Sequence, residues 1–397
     1  MVNQKALIGL GVATVVIIAV AFAVQHSRKP VRDFSEQAGP LVADLGDHIN
    51  DVSRLVVTSA NKKIDVTLDN KDGKWVVAEK GGYPADLGKL REYLLKVADA
   101  RLIEKKTAKP DRYSDLGVSD ISDPKAKGIA VDIGGLKEPV SFITGIFNAQ
   151  SGGTFVRRSH EAQSWLASGN LIPDKSPANW LRKELANIPS DRIASVTITH
   201  ADGKVLRVFK DKASDPHYTI ADLPKGREPS SDFAANGLAS VLSELKIDDV
   251  ASSKDVPVPD KVTEIRYATF DGVIVDAKAW QVGDKHYVAM SASQDNELAQ
   301  KHVDAELAKE AGEADKAKPE AEKEDSAKPA DKDDAKPALD PARDRQQRLA
   351  AITAEVEKLN TAFKGWSFVL PGYKVGDINK TMDDLLKPLE TKSKSAK

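Results

Sequence analysis

The residues able to do chemistry in this chain are scattered. Seven histidines (His26, His48, His160, His200, His217, His286 and His302) never fall in the H-x-H or H-E-x-x-H spacing that brings two imidazoles to one metal ion. A metal site would need ligands gathered by the fold alone, and histidine at the surface or at strand ends is the plainer reading. There is no cysteine, which excludes disulfides, thiolate catalysis, Cys-ligated zinc and iron–sulfur clusters. Ser59–Lys62 and Ser122–Lys125 have S-x-x-K spacing, which on a helix lets a lysine activate a serine one turn away. Ser59 ends an expected strand and Ser122 lies in a loop before Pro124, so neither has that helix. Leu68–Glu79 approaches a calcium loop, with Asn70, Asp72, Gly73 and Glu79 at the third, fifth, sixth and twelfth positions. Leu68 stands where the first aspartate is required, and strands rather than helices flank the segment, so it reads as a hairpin turn.

No G-x-S-x-G, G-x-x-x-x-G-K-[ST] or nucleotide-binding G-x-G-x-x-G occurs, and Gly9-Leu10-Gly11 lies inside an apolar run. Trp75, Trp165, Trp180, Trp280 and Trp366 could line a ligand groove, but tryptophan at strand positions reads as core. The sequence therefore assigns no catalytic residue, no cofactor-binding residue, no metal ligand and no cofactor. It identifies no small-molecule ligand, and the chain reads as non-enzymatic.

Composition narrows the partners. The 397 residues suffice for two or three domains, and 41% hydrophobic content can bury a core. Charges nearly cancel, 58 Lys+Arg against 60 Asp+Glu, for a net charge of −2. With no basic run interleaved with aromatics, no field gathers nucleic acid. The absence of cysteine suits an oxidising compartment.

Ala6–Val24 (ALIGLGVATVVIIAVAFAV) carries no charge. At 1.5 Å per residue this helix would span about 28 Å, close to the hydrocarbon thickness of a bilayer. We read residues 1–25 as a single transmembrane signal anchor, with the rest in the periplasm or outside the cell. The alternative is a soluble periplasmic protein cleaved near Ala23, at the A-x-A site Ala21-Phe22-Ala23. The run is long for a signal peptide, and His26, Arg28, Lys29 and Arg32 follow it. The positive-inside rule alone points the other way, since only Lys5 precedes the span, but long domains translocate largely regardless of charge.

Downstream the pattern alternates strands with amphipathic helices, an α+β composition. Ser53–Thr58, Ile64–Leu68 and Lys74–Ala78 read as strands, and Pro84-Ala85-Asp86 opens a helix with Leu87, Leu90, Leu94 and Val97 on one stripe. The order recurs with Ala194–Thr199, Val205–Phe209, Tyr218–Ile220 and a helix at about Asp232–Leu245. A shift of 148 sets Leu90, Tyr93, Leu94 and Val97 on Leu238, Val241, Leu242 and Leu245. We expect two tandem copies of an antiparallel sheet with a helix on one face. Residues 26–50 form a juxtamembrane linker, 51–191 the first repeat with a helical connector at 163–189, and 192–292 the second repeat. Residues 293–342 are a disordered Ala/Lys/Glu/Asp/Pro-rich insertion, too polar to offset its ordering entropy. Residues 343–390, a helix, a strand at Trp366–Leu370 and a last helix at Lys380–Leu386, complete the second repeat.

The ordered set Asp72-Gly73-Lys74-Trp75, Pro84-Ala85-Asp86, Leu116-Gly117, Phe155-Val156-Arg157, Trp165–Leu171, Asn179-Trp180-Leu181, Ile188-Pro189, Gly365-Trp366, Pro371 and Tyr373 resembles the bacterial domain-of-unknown-function family 4340. The resemblance implies a single amino-terminal span and an extracytoplasmic repeated α+β domain, and it carries over no functional residue. Family members are often encoded beside ABC-type transporters resembling those named for gliding motility. We therefore expect a non-enzymatic, membrane-anchored accessory or binding subunit of an envelope complex, with partners in the cell envelope. The alternatives are an envelope hydrolase whose site is assembled only in three dimensions, and a structural envelope protein.

Overall fold

Alternating β-branched residues fix the first strands. The computed structural model describes residues 39–316 and 341–388. In β1 (Arg54–Ser59) Leu55 and Val57 are fully buried. They face Leu68 and Val66 on β2 (Lys63–Lys71) and Ile133 and Val131 on β6 (Ile129–Gly134), so one apolar stripe crosses three strands. The remaining early strands are β3 (Lys74–Val77), β4 (Tyr83–Pro84), β5 (Leu102–Lys105), β7 (Val140–Asn148), β8 (Gly153–Arg158) and β9 (Ser164–Ser168).

The chain divides into two compact units that do not follow chain order. One holds the residues up to Asp69 with Gly88–Lys175, and the other holds Asn70–Leu87 with the residues from Ser176 onward. Within the first unit all strands pair antiparallel in the order β2-β1-β6-β7-β8-β9-β5. Helix α1 (Leu87–Asp99) precedes β5 and buries Leu90, Tyr93, Leu94 and Val97. A short helix, α2 (Tyr113–Leu116), ends at Gly117, whose φ of 70° suits a glycine cap.

The second unit contains an eight-stranded antiparallel sheet. Its strands are β11 (Ile193–Thr199), β12 (Val205–Phe209), β13 (Thr219–Ile220), β15 (Asp249–Ser252), β16 (Thr263–Thr269), β17 (Val273–Val282), β18 (Lys285–Gln294) and β19 (Trp366–Val369). The order is β13-β12-β11-β16-β17-β18-β19-β15. Here Val196 and Ile198 of β11 face Val208 and Leu206 on β12, and Tyr267 and Ile265 on β16. A separate ribbon pairs β10 (Glu184–Ala186) with β14 (Leu245–Lys246). The β3–β4 hairpin belongs to this unit because Tyr83 meets Trp366 and Phe368 edge-on, at centroid distances of 5.1 and 6.2 Å.

Four sequence expectations are corrected. Asp232–Leu245 is not one helix: only α3 (Asn236–Ala239) is α-helical, followed by a 3-10 turn at Ser240–Leu242. Asn236, Gly237 and Ser240 are poor helix formers, and the Asn236 side chain and Ser240 hydroxyl bond backbone groups instead. Leu238, Val241, Leu242 and Leu245 nevertheless stay buried. The connector at 163–189 is not helical: it holds β9, a 3-10 turn and β10, and Pro173, Pro177 and Pro189 forbid a long helix. Within 293–342, Asn296–Lys316 is a helix, α4, capped by Asp295 and seated through buried Ala299 and Val303. The last helix lies earlier, at α6 (Gly372–Ile378), and Asp383–Leu385 forms a 3-10 turn.

The helix expected from Arg343 is α5 (Pro341–Phe363), whose Asn360 side chain bonds both backbone groups of Ala292 on β18. The Ala6–Val24 run and residues 317–340 lie outside the described residues. Among the described residues no helix is long and apolar enough to cross a membrane.

Leu94→Ala and Leu242→Ala should each cost about 2–5 kcal/mol in chemical denaturation, as buried truncations do. Leu95→Ala, exposed on the same helix as Leu94, should stay within about 0.5 kcal/mol. Burial also pushes the phenols of Tyr83, Tyr93, Tyr218 and Tyr267 upward. A raised folded value stabilises fully below the free-phenol value of about 10, and that stability drains as pH rises above it. In an absorbance titration at alkaline pH Tyr93, Tyr218 and Tyr267 should ionise only with unfolding. Ionisation of all seven tyrosines near pH 10 with the fold intact would contradict this.

Candidate binding groove

The entry segment of the first unit is held by apolar burial and one arginine. Leu41, Val42 and Leu45 are buried. The backbone of Gly39–Leu41 is stitched on by Leu41 N–H to Ala100 O at 2.8 Å and Leu102 N–H to Gly39 O at 3.0 Å. Arg158, at the end of β8, donates from Nε to Leu41 O at 2.8 Å and from Nη2 to Pro40 O at 2.7 Å. Gly135 lets the β6–β7 turn pass close by. Its φ is +98°, and a Cβ there would lie 2.5 Å from Asp51 O and Ser53 N.

Between this segment, the Leu136–Phe142 turn and Arg158–Glu161 lies a half-open groove of about 820 Å³. Its floor is apolar, with Leu41, Leu45 and Phe142, and its rim is charged with both signs. His48 Nδ1 and Asp51 Oδ2 lie 2.8 Å apart, and that hydrogen bond holds the imidazole above its ordinary range. The Ser141 and Ser159 hydroxyls are 2.6 Å apart, and Arg158 Nη1 lies 3.3 Å from Glu161. Protein interfaces share this layout of apolar centre and polar rim.

A second groove of about 810 Å³ runs between the β10–β14 ribbon and α5, floored by Leu185, Ile188, Leu245 and Leu359. A smaller cavity of about 300 Å³ lies by Trp280, Tyr287 and α6. Among the described residues no group of three His, Asp or Glu side chains is placed to hold a metal ion.

The residues singled out in sequence are not brought together. His48 lines the first groove, His286 lines the cavity by Trp280, and His217 packs edge-on against Phe233. His200 Nε2 lies 3.2 Å from Lys380 O, and His302 is 3.3 Å from Glu306. His160 sits in a turn at φ 67°, and His26 is outside the described residues. Between Ser59 and Lys62 the backbone turns left-handed at Asn61 and Lys62, so no helical face joins the pair. Ser122 Oγ donates to Asp120 at 2.7 Å; the Ser122 backbone N–H and this hydroxyl hold that carboxyl below its usual range. Asp72 and Gly73 make a left-handed turn between strands. Trp165, Trp180 and Trp280 are buried.

The ordered motifs have a structural meaning, because they meet in space. Arg157 Nε donates to Val118 O at 3.0 Å and its guanidinium lies 4.7 Å over the Tyr113 ring, pinning the turn that Leu116-Gly117 begins. Pro84-Ala85-Asp86 pairs with Trp180-Leu181-Arg182 through three contacts: Asp86 N–H to Trp180 O, an Ala85–Leu181 bridge, and Arg182 N–H to Pro84 O. Sequence reasoning missed Arg158 and Lys374, whose roles come from carbonyls that only the fold presents. The buried Lys374 ammonium donates to Ser240 O and Ser243 O at 2.6 and 3.0 Å, and desolvation lowers its pKa.

Arg158→Ala should lower stability by about 1–3 kcal/mol by orphaning two carbonyls, and should speed amide exchange at Leu41 and Leu45. Unchanged exchange there would show that apolar packing alone holds the groove wall.

Residues 75–271 match the family model described as "Domain of unknown function (DUF4340)". No curated protein and no solved structure matches the chain.

Proposed function

We propose that the chain, which belongs to that family over residues 75–271, is a non-enzymatic, membrane-anchored accessory or binding subunit of a bacterial envelope complex, serving an ABC-type transporter. The observation that carries this reading is the short path from the apolar run to the folded body. Ala6–Val24 has the length and apolarity of a span, and the chain is already clamped at Gly39–Leu41. Only the fourteen residues Gln25–Ala38 intervene. At most, fourteen residues can reach about 48 Å. Such a tether would keep the first unit and its groove at the membrane surface, at high effective concentration toward a membrane-embedded partner. In this reading residues 1–25 stay as a signal anchor and the two units lie outside the cytoplasm.

We further infer that the units descend from one duplicated α+β repeat. Seven strands of each follow the same order: β2-β1-β6-β7-β8-β9-β5 matches β12-β11-β16-β17-β18-β19-β15. Leu55 and Val57 correspond to Val196 and Ile198, each facing apolar residues on both neighbouring strands. The insertion then interrupts the second copy between β18 and β19. One observation favours a second reading, an envelope hydrolase: the His48–Asp51 pair and the Ser141–Ser159 pair line the same groove.

A reporter active only after export, fused after Lys397, should be active and remain in the membrane fraction. Purification from detergent should bring down transporter permease or ATPase subunits, and His48→Ala should not alter cellular function. A cytoplasmic reporter, or recovery of the protein without any membrane partner, overturns the accessory reading. Loss of function in His48→Ala with association intact would favour the hydrolase.

A further inference from the structure

Helices α4 and α5 lie together, yet apolar contact holds only one end of the pair. In α4 the buried residues are Ala299 and Val303, both in its first eight positions, and Ala299 packs against Gly272 at the β16–β17 turn. From Asp304 to Glu313 every residue is exposed except Leu307, which is half-buried. In α5 the first buried residue is Ile352. The ends beyond these points are joined by arginines. Arg345 grips Asp304 with Nε–Oδ1 at 2.5 Å and Nη2–Oδ2 at 3.1 Å. Arg348 grips Glu310 with Nη1–Oε1 at 3.0 Å and Nη2–Oε2 at 2.7 Å, and also reaches Glu306 and its own Asp344.

Both grips are bidentate, the geometry that gives arginine–carboxylate pairs strength and direction. Isolated exposed pairs contribute little to stability, whereas a geometrically good network contributes measurably. The outer stretch from Asp304 to Glu313 is by itself shorter than the roughly 12–15 residues an isolated helix needs in water. The outer half of α4 therefore sits at a threshold, and charge alone decides on which side.

We propose that Arg345 and Arg348 form a carboxylate-reading surface whose resident occupant is the chain's own acidic edge, Asp304, Glu306 and Glu310, making the outer half of α4 a latch that ionic strength opens. The core end of α4 stays seated through Ala299 and Val303, so opening is local and reversible.

The test is hydrogen exchange on the full chain in detergent, at low salt and in 1 M sodium chloride, where the screening length falls to about 3 Å. Amides of residues 304–313 should exchange about tenfold faster in high salt, while β17 amides do not change. Arg348→Gln should show the fast exchange already at low salt, and Arg348→Lys, which keeps the charge, should stay closer to the parent. Exchange at 304–313 that ignores salt, or an Arg348→Gln chain matching the parent, overturns the latch. A salt response shared by β17 would mean general loosening and overturns it equally.

Discussion

Both units obey one constraint: a strand is laid down at the far edge of the sheet before the strands that connect it to the rest exist. In the first unit β5 pairs only with β9, some sixty residues later, while β6 returns to pair with β1. Strands β6 to β9 then fill the gap as a meander. In the second unit β15 waits for β19, more than a hundred residues downstream. Loop closure must precede reward in such pairings, so folding is expected to be slow and the last strand decisive. The segment that carries the chain from one side to the other supplies Leu90, Tyr93, Leu94 and Val97 in one unit and Leu238, Val241, Leu242 and Leu245 in the other. The apolar stripe is therefore a requirement of the connection, whether the backbone there is a full helix or a broken one.

The same dependence explains the half-buried ion network at the head of β11. Arg192 bonds Asp271 in the β16–β17 turn and Glu355 on α5, with Nη2 2.7 Å from each carboxylate. The bond to Glu355 raises the guanidinium pKa most, burial opposes it, and Asp271 adds to the rise. This network fixes α5, the element that delivers the chain to β19. A comparable cluster stands at the β15 edge, where Asp249 receives Lys80 at 2.6 Å and Lys285 at 3.0 Å. Burial pushes the Asp249 carboxyl up, but the hydrogen bonds from both lysines and the Val250 N–H hold it below its usual range.

Much of the fold was legible because alternation and apolar spacing are local signals. Arg54–Ser59, Ile193–Thr199 and Trp366–Val369 are strands where the pattern placed them, and the stripe pairing Leu94 with Leu242 is buried in both units. The second helix was overestimated because the stripe does not reveal that Asn236 and Gly237 break regular backbone. Asn296–Lys316 was missed because its Ala, Glu and Lys content fits a helix and a disordered chain equally; Asp295 and the arginines of α5 decide between them. The groove was not legible at all. Arg158 acts on carbonyls more than a hundred residues earlier in the chain, and no spacing rule can announce such a contact.

The absence of cysteine makes strand order directly measurable, since any disulfide must come from introduced residues. Leu102 lies opposite Ala167 across β5–β9, and Ala251 lies opposite Ser367 across β15–β19. Direct cross-strand partners have Cα separations of about 4.5–5.5 Å, within disulfide reach. Leu102→Cys with Ala167→Cys, and Ala251→Cys with Ser367→Cys, should each give an oxidised intramolecular crosslink in the folded protein, lost on reduction. If the first pair crosslinks and the second does not, β19 does not close the second sheet, and the shared strand order on which the proposed duplication rests is contradicted.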